Sequence, residues 1–242
     1  MQEYLQFQET IHIASPELTP GQIHLWWVPL TINDKQEQQF KAELSQRQRQ
    51  KFDRILDPQQ QQFYVAGRGY LNQLLRHYLG EHASIDLCFG EHGKPALRDN
   101  PLALNFNYTD TNGYGLFAFA LTTELGVDLE SAERESQFAR IVERRFAIEE
   151  QYLRDGSVSD FLRCWTRKEA YGKAIGRGLS YPLRECLICE DVTQSEFAIP
   201  NEPFYGQQII IQSDDIDYIA CVVSQEAKPK DLLAFHLLAA VD

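Results

Sequence analysis

SIDLCFGEHGKPALRDNPLALNFNYTDTNGYGLFAFALTTELGVDLESA, residues Ser84 to Ala132, sets short apolar runs between turn residues. That pattern predicts strands at Ile85 to Phe89, Ala103 to Asn107, Tyr114 to Leu121 and Leu125 to Glu130. Upstream, Phe63, Ala66, Tyr70, Leu74, Leu75 and Tyr78 recur at helical spacing, and Gly80 is a natural stop, which predicts a core helix from Gln59 to Leu79. KAELSQRQRQKFDRIL before it reads as one polar helix ending near Asp57-Pro58, and GQIHLWWVPL (21–30) as a strand ended by Pro29. Downstream, helices are expected at about Gln137 to Arg154 and Ser159 to Ile175. Strands follow at Ile209 to Gln212, Asp217 to Ser224 and Leu232 to Ala239. The order strand, helices, strands, helices, strands predicts an α+β protein of two halves with similar element order, 1–122 and 123–242. No linker composition separates them, so the halves are expected to pack together.

The 242 residues carry a net charge of −12, which argues against general nucleic-acid binding, because phosphate contacts need a basic footprint. Lys41, Arg47, Arg49, Lys51, Arg54, Arg68 and Arg76 nevertheless crowd one segment that holds only Glu43, Asp53 and Asp57. A solvated helix face and an anion-facing surface both account for it. The N-terminal MQEYLQFQETIHIASPEL lacks a basic region followed by an apolar run, and no stretch of about 18 apolar residues occurs. Five cysteines at no framework spacing suit a reducing compartment. A cytoplasmic, non-membrane protein is expected.

Asp128 and Glu130 in GVDLE are two apart in a strand, so their side chains share one face. Either they sit at a solvent-facing strand end, or a divalent cation relieves their repulsion; hard oxygen ligands of this kind favour magnesium. In WTRKEAYGK (165–173), Trp165, Glu169 and Lys173 line one helical stripe with Lys168 beside it. An ordinary i,i+4 ion pair explains Glu169 and Lys173 as well as chemistry does. Cys186 and Cys189 have C-x-x-C spacing without a second ligand pair, and the common serine-hydrolase, zincin, dinucleotide and phosphate-loop signatures are missing. His24 and His77 read as ordinary structural histidines.

Taken in order, HGKPAL (92–97), FNYTDTNG (106–113), GVDLE (126–130) and WTRKEAYGK (165–173) resemble the motif set of the 4′-phosphopantetheinyl transferases, in their larger Sfp-type branch. The resemblance covers nearly the whole chain. It implies two pseudo-symmetric halves with coenzyme A in the cleft between them, and a monomer. It also implies transfer of the 4′-phosphopantetheine arm to a serine of an acyl or peptidyl carrier protein, with release of adenosine 3′,5′-bisphosphate. By the same resemblance Asp128, Glu130 and Glu169 hold Mg2+, or Mn2+, at the pyrophosphate, and Glu169 takes the serine proton. Lys173 stabilises the departing phosphate, and Lys168 is a second cation beside it. Lys94, Pro95, Arg47, Arg68, Asn107 and Thr109 meet coenzyme A, whereas Arg140, Arg144 and Arg145 fit either carrier docking or a solvated face.

Asp110 departs from the pattern, standing where the family carries a histidine near a coenzyme A phosphate. An acid there predicts weaker coenzyme A binding, improved by Asp110→His. Two other readings stay open on the residues alone: a different magnesium-dependent phosphoryl transferase, and a carrier-binding module of the same fold without activity.

Overall fold

The stretch from Ile23 to Val28 is buried on both faces, which explains why Leu25 to Val28 are apolar at consecutive positions rather than alternating ones. The computed structural model describes residues 5–133, 138–189, 191–213, 216–225 and 231–238. In chain order the elements are β1 (Gln8–Thr10), β2 (Gln22–Pro29), α1 (Asp34–Glu43), α2 (Gln46–Phe52), α3 (Pro58–Leu79), β3 (Leu87–Phe89), β4 (Pro95–Leu97), β5 (Leu104–Thr111), β6 (Tyr114–Leu121) and β7 (Leu125–Ser131). After these come α4 (Phe138–Arg145), α5 (Val158–Ala174), β8 (Glu196–Ala198), β9 (Phe204–Ser213), β10 (Ile216–Gln225) and β11 (Asp231–Leu237). The class is α+β.

Two main sheets form, ordered β1-β11-β2-β6-β5 and β7-β10-β9-β8. Their inner faces meet through Leu25, Trp27, Leu116 and Ala118 on one side and Val127, Leu129, Ile209 and Ala220 on the other. Helix α3 covers the outer face of the first sheet, packing Val65, Tyr70, Leu71 and Leu74 on Trp26, Phe117 and Phe119. Helix α5 covers the second, packing Phe161, Leu162, Ala170 and Ala174 with Ile219, Cys221 and Val223 of β10. The chain passes from one sheet to the other between Leu121 and Leu125, and β11 returns to pair in parallel with β2.

Several elements differ from expectation. The polar helix is two helices, because Leu44 is extended and Ser45 starts a new capping box with Gln48. The helix expected to run to Arg154 stops at Arg145 and resumes as 3-10 turns over Ile148–Asp155, where the Glu150 carboxylate accepts the Ala147 backbone N–H at 2.9 Å. Strand β5 continues to Thr111 and joins β6 through Asn112 and Gly113, both with positive φ, as a two-residue hairpin turn requires. The expected helix start at Gln137 and strand end at Ala239 lie outside the described residues.

Five cysteines at no framework spacing nevertheless include one bonded pair: Cys164 of α5 and Cys189 form a disulfide, while Cys88, Cys186 and Cys221 are free. Residues 25 apart meet because the segment after α5 folds back across that helix, a tertiary fact that cysteine spacing does not carry. Among the described residues no helix is long and apolar enough to cross a membrane.

Candidate active site

Gly126 lets α5 lie directly on β7. A Cβ at that position would stand 2.1 Å from the Ala170 carbonyl oxygen and 2.3 Å from the Ala174 nitrogen, closer than any atom can approach. Alternation along β7 puts Leu125, Val127 and Leu129 between the sheets, and turns Gly126, Asp128 and Glu130 towards α5. Lys173 reaches back from α5 to Asp128 Oδ1 at 2.6 Å and to the Val127 carbonyl at 3.1 Å. Trp165, about two turns earlier on the same stripe, donates its indole N–H to Glu130 Oε1 at 3.1 Å and is held by stacking on Phe146 and Phe161. The opening of β7 is tied to β5 by Asn107, whose Oδ1 accepts the Val127 N–H at 3.0 Å, and the Thr109 hydroxyl donates to Asp128 Oδ1 at 3.4 Å.

Asp128, Glu130 and Glu169 thus occupy one electrostatic neighbourhood. Asp128 Oδ2 and Glu169 Oε1 are buried without a hydrogen-bond partner. Buried carboxylate oxygens left this way are unusual. Burial, then the charge of Asp128, pushes the Glu169 carboxyl up to about 7; Glu130 adds to the rise, and Lys173 and Arg145 oppose it. Burial also raises Asp128, although Lys173 pulls the other way. Hard anionic oxygens that repel one another and lack partners fit a divalent cation such as magnesium or manganese. The three carboxylates do not bring ligand atoms within 4.8 Å of one another; the group that close among the described residues is Glu150, Cys164 and Cys189, whose sulfurs are already bonded together. An ion that keeps several waters and shares substrate oxygens suits the looser carboxylate arrangement.

Beside the carboxylates opens a cleft of about 430 Å³ lined by Arg47, Lys51, Tyr64, Arg68, Phe89, Pro95, Tyr108, Thr109, Asp110 and Lys173. Arg47 lies over the Phe89 ring at 4.2 Å, and Arg68 lies between Tyr64 and Tyr108 at 5.0 and 4.8 Å. Aromatic faces hold both guanidiniums in place. Asp110 is open to solvent at its surface, yet the protein around it pushes its carboxyl up, against the pull of Arg68, Lys173 and Lys51. Lys51, counted in the basic segment but not singled out within it, also lines the cleft. A larger cavity of about 690 Å³ beside Arg76 and His77 contains none of these groups.

Two expected positions lie away from this cleft. Lys168 is fully buried, donating to the carbonyls of Leu183 (2.9 Å) and Cys186 and pairing with Glu150 at 2.8 Å, so all three of its donors are taken away from the cleft. The i+3 neighbour of Trp165 points inward because α5 buries that side of the helix too. Lys94 likewise spends its ammonium on Glu124 (2.6 Å), Leu125 O (3.1 Å) and Ala174 O (2.8 Å), clasping the end of α5 to the start of β7. Asn107 is buried in its β7 contact and is not among the groups lining the cleft. Arg47, Arg68, Pro95, Thr109, Asp110 and Lys173 all line it.

Residues 124–223 match the family described as the 4′-phosphopantetheinyl transferase superfamily. The chain is 33% identical over 176 residues to the 4′-phosphopantetheinyl transferase HetI of Nostoc sp., an alignment covering 68% of this chain and 74% of the relative. It is 27% identical to a putative 4′-phosphopantetheinyl transferase of Synechocystis sp., over 65% of this chain and 67% of that one. To the 4′-phosphopantetheinyl transferase Sfp of Bacillus subtilis it is 24% identical, over 63% and 69% respectively.

Proposed function

This chain belongs to the 4′-phosphopantetheinyl transferase superfamily, and from that premise we propose that the cleft between β5, α3 and α5 binds coenzyme A and that the carboxylates of β7 and α5 carry its reaction. As a transferase of this family it moves a phosphopantetheine group to a carrier protein. In the proposed reaction the serine oxygen of an acyl or peptidyl carrier bonds to the phosphorus bearing the pantetheine arm. The bridging P–O bond of the pyrophosphate breaks, and adenosine 3′,5′-bisphosphate leaves. The observation that carries this reading is the pair of unpartnered buried oxygens, Asp128 Oδ2 and Glu169 Oε1, at the Lys173 end of a basic cleft.

Asp128, Glu130 and Glu169 would hold a magnesium or manganese ion, which when bound supplies charge neutralisation at the pyrophosphate. Glu169 accepts the serine proton: without metal, burial and the Asp128 charge push its carboxyl up to about 7, which makes it more basic than an exposed carboxylate. Lys173 has three N–H donors, two of them used on Asp128 and Val127, and the third is left for a phosphate oxygen on the leaving group. Arg47 and Arg68 hold the nucleotide's phosphate, their forks pre-oriented by Phe89, Tyr64 and Tyr108. Trp165 fixes the rotamer of Glu130. The two-half arrangement, 1–122 and 123–242 with the donor between them, belongs to the same reading.

Incubating the full chain with coenzyme A, magnesium and an apo carrier protein tests it. The expected result is a carrier mass increased by one phosphopantetheine arm. No increase with any of several carriers, together with carrier binding, would instead favour a binding module.

A further inference from the structure

Asp110, near the end of β5, is among the described residues the only carboxylate on the wall of the cleft that holds Arg47, Lys51, Arg68 and Lys173. It also lines an adjoining cavity of about 370 Å³ together with Lys51, Tyr64, Arg68 and Tyr108, so it stands where the two spaces meet. Three cations from three helices act on it: Arg68 of α3, Lys173 of α5 and Lys51 of α2. Its charge in turn acts on Arg68 and Lys51. Tyr64 and Tyr108 wall the same junction.

Lys173 is fixed at the carboxylate end by Asp128 and the Val127 carbonyl, which leaves Arg47, Lys51 and Arg68 for any phosphate further along an adenosine nucleotide. Asp110 offsets about one unit of that positive charge. A carboxylate in such a position repels a phosphate and accepts a hydrogen bond from a ribose hydroxyl, the contrast that separates an acid-lined ribose site from an arginine-lined phosphate site. We propose that Asp110 is a specificity-determining residue that makes the cleft discriminate only weakly between adenosine nucleotides with and without a 3′-phosphate. The donor class then includes coenzyme A lacking its 3′-phosphate. This rests on the coenzyme A reading of the cleft.

The test is calorimetric titration of the full chain, without metal or carrier, using adenosine 3′,5′-bisphosphate and adenosine 5′-monophosphate. Wild type should bind the two within about tenfold of each other. Asp110→Asn should tighten the bisphosphate about tenfold while moving the monophosphate less than about twofold, and Asp110→Glu should keep the wild-type ratio. Equal shifts for both nucleotides, no shift, or loss of the wild-type ratio in Asp110→Glu would overturn the proposal. A turnover assay in the same preparations keeps the two readings apart. Transfer from both coenzyme A and its 3′-dephospho form at rates within about tenfold supports the inference, whereas no transfer and no nucleotide binding overturns the coenzyme A reading and this inference with it.

Discussion

Gly126 and Ala170 meet through backbone alone: a Cβ on the glycine would lie 2.1 Å from the alanine carbonyl oxygen. The distance between β7 and α5, and with it the spacing of Asp128 from Glu169 and Lys173, depends on that missing side chain. Gly126→Ala should therefore force the helix outward, costing about 1–3 kcal/mol of stability and most of the divalent-ion response. Urea unfolding with and without magnesium checks both. Unchanged stability would mean the helix has room that its backbone contacts do not show.

Glu169→Gln keeps the shape and removes the charge. Turnover should fall by about a hundredfold or more. Stability above neutral pH should hold or rise, since an unpartnered buried carboxylate has been replaced by a neutral group. Steady-state kinetics and thermal unfolding at pH 8 measure the two effects; near-wild-type turnover would remove Glu169 from the role of base.

The pH dependence follows from the same residue. The Glu169 carboxyl, pushed up to about 7 from an ordinary 4.5, binds its proton more tightly in the folded chain than in the unfolded one. Without metal, its contribution to stability is therefore fully present below pH 4.5 and is lost as pH rises through 7. A divalent ion needs the ionised carboxylate, so the magnesium-induced rise in melting temperature should grow between pH 5 and about 7.5 and then level off. A rise that is independent of pH would separate Glu169 from the metal.

Lys168 and Lys173 lie five residues apart on one helix and should behave oppositely. Lys168→Ala strands Glu150, which is fully buried, and should cost about 3–5 kcal/mol, with kcat retained by the folded protein. Lys173→Ala should lower kcat at smaller cost in stability, because that ammonium is a quarter exposed. Denaturation curves paired with kcat for each variant decide it. A kcat loss at Lys168 with full stability would restore it to the cleft.

Reducing the Cys164–Cys189 disulfide should lower stability by about 3 kcal/mol, the size expected for releasing a loop of this length. Unfolding with and without a thiol reductant, with free thiols counted by mass spectrometry, measures it. An unchanged midpoint after complete reduction would show that packing alone holds the segment on α5.

Much of the chain was legible in its residues. Short apolar runs between turn residues located β5, β6 and β7, and helical spacing located α3 and α5 to within a residue or two, because those elements bury continuous apolar faces. Two-residue spacing in GVDLE put Asp128 and Glu130 on one face, where they lie. What failed was local competition and direction. Ser45 breaks a polar helix that has no buried stripe to hold it together, and Lys168 and Lys173 look equivalent on a helix until both sides of that helix are covered.

The α+β order, the shared face of Asp128 and Glu130, and the likeness that names the family are all legible along the chain, because periodicity and motif order are properties of its residues read in order. Tertiary structure alone decided which cations face the cleft: Lys51, Arg47 and Arg68 held against aromatic rings, Lys173 against Asp128, and Lys94 and Lys168 turned to carbonyls elsewhere. It also joined Cys164 to Cys189 and brought β11 back into the first sheet. Each of these depends on which surfaces are covered when the sheets and helices pack, and a long charged side chain goes wherever that packing leaves it a partner.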